Sequence, residues 1–90
     1  MPADASMAVS AASSVLFDVL ADSNPGLLPR LLQPLARRHL VPERFAAHRQ
    51  GDVLAVEIGL ADISHEALGL IAGNLGQVVG VRSICWRREK

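Results

Sequence analysis

The hydrophobic pattern of this chain predicts an α+β domain whose elements run β-α-β-β-α-β, with a four-stranded antiparallel sheet and two helices on one face. Three observations predict it. A run rich in β-formers, Val15 to Ala21, stands just before leucines at helical spacing: Leu27, Leu28, Leu31, Leu32 and Leu35. A second β-rich run, Val53 to Leu60, follows a Gln50-Gly51-Asp52 turn signal. Leu68, Ile71 and Leu75 then recur at helical spacing before a last apolar stretch.

The first strand covers Val15-Leu16-Phe17-Asp18-Val19-Leu20-Ala21. It is joined to the first helix by Ser23-Asn24-Pro25-Gly26-Leu27-Leu28, a tight turn with Pro25 preset for the first helical turn and Gly26 free to take a strained backbone. Such a turn aims unpaired backbone N–H groups outward at the positive end of a helix, where a carboxylate is welcome. The bland reading is a turn that is structural alone. Pro34 falls well inside the leucine stripe, so a kink near Arg30 to Gln33, or a shortened helix, is expected.

Residues 43 to 50 read as a moderately polar edge strand, with Pro42 at its start where no ladder donor is needed. Residues 53 to 60 are apolar on both faces apart from Glu57, as a central strand should be. Leu54, Val56 and Ile58 share one side of it, and Ala55 and Glu57 the other. Asp62 or Ser64 caps the second helix and Gly76 stops it. The last strand runs from about Val78 to Trp86, with a bulge near Gly80, and Arg87-Arg88-Glu89-Lys90 forms a solvated tail. The domain is thus drawn over residues 14 to 88, after a flexible tail over residues 1 to 13 that has an alternative start near Met7. This element order is the ferredoxin-like arrangement.

Composition narrows the function. Nine basic and nine acidic residues balance, which argues against a polyanion binder by bulk charge. The aromatics are Phe17, Phe45 and Trp86, so the core must come from Leu, Val, Ile and Ala. Cys85 is the sole cysteine, which excludes an internal disulfide; in an apolar strand it reads as a small buried hydrophobe. His39, His48 and His65 are scattered without paired spacing, so no metal site is expected. Arg82, Arg87, Arg88 and Lys90 make a basic end that reads as a solvated face. No apolar run approaches the ~20 residues of a membrane helix, and no basic n-region precedes a long apolar stretch. A cytoplasmic protein is the expectation. No catalytic carboxylate pair or nucleophile–base pair can be named. An RNA binder of this fold class would stack bases on central-strand aromatics, and residues 53 to 60 hold none. An acylphosphatase-like enzyme would place arginine in the loop after the first strand, and residues 22 to 28 hold none.

With its Pro-Gly turn after the first strand, the chain resembles the ACT domain family over roughly residues 14 to 88. Within that family it is similar to the short, single-domain small subunit of acetolactate synthase. The stretches that carry this are Asn24-Pro25 leading into Leu31-Leu32-Gln33-Pro34-Leu35-Ala36-Arg37-Arg38, Glu66-Ala67-Leu68, and Leu75-Gly76-Gln77-Val78-Val79-Gly80-Val81. The resemblance implies a non-catalytic regulatory subunit that activates a large subunit in branched-chain amino-acid biosynthesis. Thiamin diphosphate, magnesium and FAD would belong to that large subunit, with no cofactor in this chain. It also implies a homodimer with ligand sites between the first helix and the neighbour's edge strand, involving Ser23, Asn24, Pro25, Gly26, Leu27, Leu28 and Val41. Sensing relatives carry Asp or Asn where this chain has Ser23, a glycine near His39 and an Asn near Val41. The resemblance therefore implies weak binding of a branched-chain amino acid. The alternative is a free-standing ACT module that binds an amino acid and regulates another enzyme or a transporter.

Overall fold

The computed structural model describes residues 13–89. The elements are β1 (Ser13–Asp22), α1 (Leu27–Arg37), β2 (Arg44–Gln50), β3 (Val53–Ile63), α2 (His65–Gly76) and β4 (Val81–Glu89). The strands form one sheet in the order β2-β3-β1-β4, and each neighbouring pair is antiparallel. The expected β-α-β-β-α-β order and ferredoxin-like topology are therefore observed. The expectation for residues 1–12 lies outside the described residues, and Ser13 already belongs to β1.

The core lies between one sheet face and the helices. Val15, Phe17, Val19 and Ala21 of β1 and Leu54, Val56, Ile58 and Leu60 of β3 are buried against Leu27, Leu31 and Leu35 of α1 and Leu68, Ile71 and Leu75 of α2. Period-2 burial on the strands and 3.6-residue burial on the helices is what each backbone geometry dictates. Of the five predicted stripe leucines, Leu28 is half-buried and Leu32 exposed, because a helix facing a sheet buries only one narrow side.

Local chemistry sets the element ends. The β2–β3 hairpin turns on Gly51, whose φ of 62° at the first central position, with no positive φ at Asp52, is the type II′ pattern. Ser64, not Asp62, caps α2: its hydroxyl accepts from Ala67 N–H at 3.1 Å. Asp62 instead takes a φ of 56° within a bulge that turns Ile63 back into the core. Gly76 is the last residue of α2 rather than the residue that stops it. Pro34 neither ends nor shortens α1: the helix continues to Arg37 with Pro34 buried within it.

Beyond α1, Leu40 N–H donates to Leu35 C=O at 2.9 Å and His39 N–H to Ala36 C=O at 3.0 Å. This is a Schellman closure, with His39 at the left-handed position, φ 59°, that glycine occupies most easily. Replacing His39→Gly is expected to stabilise the domain by about 0.5–1 kcal/mol, strain relief outweighing the added chain entropy. Urea unfolding measures it. An unchanged or lowered midpoint would show that the His39 side chain contributes more than its backbone costs.

The last strand differs most from expectation. Val78 and Val79 lie in a turn, with Val81 N–H donating to Val78 C=O at 3.1 Å, and the strand extends through Glu89. Arg87, Arg88 and Glu89 are therefore paired with β1 rather than forming a free tail: Arg87 opposes Leu16, and its Nη1 donates to Asp18 Oδ2 at 3.0 Å. Arg88 Nη1 donates to the Ile63 carbonyl at 3.0 Å. The expected bulge falls at Arg82, since Leu20 pairs with Ser83 but Ala21 with Val81. One extra residue flips the alternation that follows. Cys85 is therefore exposed, opposite Asp18, and not the buried hydrophobe expected from its neighbours.

Candidate functional site

The β1–α1 turn sits where three connections meet. Asp22 N–H donates to Gly80 C=O at 2.8 Å, tying the end of β1 to the α2–β4 loop. Ser23 N–H donates to Asp52 C=O at 2.9 Å, tying the turn to the β2–β3 hairpin. Arg82 Nε donates to Asp22 Oδ1 at 2.6 Å, and its Nη2 lies 4.0 Å from Asp52 Oδ2. Both groups of the shorter pair are about half-exposed, so it orients the loops more than it stabilises them.

The start of α1 is less open than its sequence implies. Asn24 Oδ1 accepts from Gly26 N–H at 2.8 Å, and Asn24 C=O accepts from Leu27 N–H at 3.0 Å. Asn24 thus occupies the Gly26 and Leu27 amides, two of the N–H groups expected to face outward, as an Asx turn does. Pro29, inside the first turn, has no N–H to offer. Leu28 N–H remains without an acceptor among the described residues. Gly26 is in ordinary right-handed backbone, φ −84°, so no strain is stored there. Pro25 precedes the cap, outside the helix rather than in its first turn.

Arg30 is the site residue that reading the sequence missed. A Cβ at Gly26 would lie 3.4 Å from the Arg30 guanidinium carbon, so that cation folds back over the turn. Arg30 makes no ion pair with any described residue, and the first turn of α1 holds no acid. A guanidinium at the positive end of a helix is electrostatically unsatisfied until an anion joins it. Its signal in the sequence was the absence of any Asp or Glu from Ser23 through Pro42.

The turn gathers Ser23, Asn24, Pro25, Gly26, Leu27 and Leu28, but not Val41. Val41 follows α1 and is 86% exposed, at the end of the sheet where Arg44 pairs with Gly59; the turn is at the other end, where Asp22 pairs with Val53. An 11-residue helix separates them, about 16 Å at 1.5 Å per residue. One small ligand cannot touch both within a protomer.

Two hollows complete the surface. One, of about 500 Å³, lies on the sheet face away from the helices over Ala46 and Ala55, between Asp18 and Glu57. Its acids are paired across the sheet, Asp18 with Arg87 at 3.0 Å and Glu57 with Arg44 at 2.9 Å. The other, of about 580 Å³, runs between α1 and the end of α2. Among the described residues no group of three or more His, Cys, Asp or Glu is placed to hold a metal, and no helix is long and apolar enough to cross a membrane.

A family model described as an ACT-like domain matches residues 8–90. No curated protein matches the chain. The ACT domain of GTP pyrophosphokinase from Chlorobium tepidum superposes with a TM-score of 0.74 at 8% identity, covering 84% of this chain and 99% of that one. The C-terminal domain of the MgtC protein from Mycobacterium tuberculosis gives 0.70 at 12% identity, covering 92% and 94%. The regulatory subunit of aspartate kinase from Thermus thermophilus gives 0.63 at 18% identity, covering 83% of this chain and 50% of that one. At such identities these likenesses show the fold alone.

Proposed function

This chain belongs to the ACT-like domain family, and from that premise we propose that it is a regulatory module whose β1–α1 turn takes the carboxylate of a small amino acid and whose output is the activity of a partner enzyme. The observation that carries the ligand reading is the Arg30 guanidinium, without an acid partner, folded over Gly26 in a turn whose Leu28 amide also lacks an acceptor among the described residues. The ligand's ammonium needs an acceptor, and Ser23 offers only a hydroxyl there. A neutral hydrogen bond contributes about 1 kcal/mol against roughly 1.5–3 for a charge-assisted one, so affinity is weak. Val41 reaches this turn only from a second copy. Strand β2, an edge with six of its seven residues exposed, is the surface through which two copies would join sheets.

For the partner, the resemblance of the α1 and α2–β4 segments favours the acetolactate synthase large subunit, which would carry thiamin diphosphate, magnesium and FAD. Regulatory domains of this fold in the relatives above belong to a pyrophosphokinase and an aspartate kinase, which keeps a different enzyme as the second reading. Mixing the chain with the large subunit tests the first: stable co-purification and faster acetolactate formation support it, and no association at micromolar concentration refutes it. Calorimetry with the branched-chain amino acids tests the ligand. Valine is expected to bind weakly, with Ser23→Asp tightening it about tenfold and Arg30→Gln weakening it by a similar factor. Tight valine binding by the unaltered chain, indifferent to both substitutions, would place the ligand elsewhere.

A further inference from the structure

We propose that the groove between α1 and the end of α2, which adjoins the β1–α1 turn at Arg30, is a site for an organic polyphosphate, a small molecule with a multiply charged phosphate end and a neutral heterocyclic or sugar body. Three arginines line it: Arg30, Arg37 and Arg38. None of them pairs with an acid among the described residues, whereas Arg44, Arg82 and Arg87 all do. The balanced total charge therefore hides an uneven one: Arg44, Arg82 and Arg87 are paired with acids on the sheet, while Arg30, Arg37 and Arg38 cluster unpaired on α1 and at its end. With no Asp or Glu from Ser23 through Pro42, that segment carries no acid to pair with them, and the carbonyls at the end of α1 offset only part of the charge of Arg37 and Arg38.

Shape selects a small molecule. The groove's volume of about 580 Å³ falls within the roughly 300–1,000 Å³ of small-ligand sites. Arg37 and Arg38 are adjacent at the end of α1, and Arg30 is two turns earlier on the same flank, about 10 Å away along the axis. A lone phosphate engages one end only; a chain of phosphates, or two at either end of one molecule, engages both. Guanidinium forks match phosphate oxygens in pairs. The α2 side differs in character. It offers the amides of Asn74 and Gln77 and the apolar Val78, and the last turn of α2 holds no basic residue. The C-terminal carbonyls of both helices repel anions, but only at α1 do arginines stand over them. The charged end of the ligand therefore lies along α1, and its neutral body rests against Val78 and the buried Pro34, within reach of the amides.

The test uses calorimetry and amide NMR on the whole chain with ATP, pyrophosphate, inorganic phosphate, hexaglutamate and a short single-stranded RNA as probes. ATP is expected to bind saturably, more tightly than inorganic phosphate, and to weaken with added salt. Shifts should fall on Arg37, Arg38, Gln77 and Val78. Arg37→Gln with Arg38→Gln should weaken ATP about tenfold or more, while valine binding at the turn stays unchanged. Both arginines are exposed, so the variant keeps its fold, and its melting curve verifies this. No saturable ATP binding up to about 1 mM, or ATP binding unaffected by the double substitution, overturns the proposal. Hexaglutamate or RNA binding at least as tightly as ATP also overturns it, by making the groove a docking surface for a macromolecule.

Discussion

Phe17→Ala is expected to cost about 3–5 kcal/mol of stability, the largest effect of any single truncation in this domain. Phe17 is fully buried at the middle of β1, the strand hydrogen-bonded on both sides, and it stands directly opposite Ile58 on β3 and Trp86 on β4. A domain of this size has a total stability of roughly 5–13 kcal/mol, so the variant retains at most a small margin. Urea unfolding followed by fluorescence of Trp86, the sole tryptophan, reads this directly. Val79→Ala, at an exposed turn position, is the control and should change stability by less than about 0.5 kcal/mol. A Phe17→Ala cost no greater than about 1 kcal/mol would mean that the core collapses around the gap and is packed more loosely than described.

Gly80→Ala is expected to destabilise by about 1–3 kcal/mol, although the change adds only a methyl group. Gly80 holds a φ of 102° at the third position of the Val78–Val81 turn, where type II geometry demands a positive value. The added Cβ would sit 3.4 Å from Leu27 Cδ1, an ordinary van der Waals contact, so the cost comes from the backbone and not from crowding. Gly80 C=O receives Asp22 N–H, so a shifted turn disturbs the β1 terminus and the candidate ligand turn together. The opposite result is expected at Gly73, inside α2. At Gly73 a Cβ meets nothing within 4 Å, and Gly73→Ala should stabilise by roughly 0.5–1 kcal/mol through helix propensity. Equal effects at the two positions would contradict the backbone assigned to Gly80.

The candidate site was partly legible beforehand. That a turn with helix-starting chemistry follows β1 could be read from Asn24-Pro25-Gly26. Which amides stay free could not, because Asn24 competes for them through its side chain and its carbonyl at once. Arg30 was overlooked because a basic residue on a helix reads as solvated unless its unpaired state and its fold over Gly26 are known.

From the sequence alone followed the element order, the sheet class, the edge character of β2 and the two faces of β3. These depend on periodicity and turn chemistry, which act over a few neighbouring residues. Tertiary structure alone decided the last strand. Arg87, Arg88 and Glu89 have the composition of a tail, yet β1 offers them a ladder, and pairing with Leu16, Val15 and Ser14 outweighs their preference for water. The same applies to Cys85: its side of the sheet depends on one extra residue at Arg82, and a bulge is a property of two paired strands, not of one. Val41 and the turn were expected around one ligand between two copies, and within one protomer α1 carries the chain from one end of the sheet to the other between them. Distances of that kind belong to topology, and no local pattern encodes them.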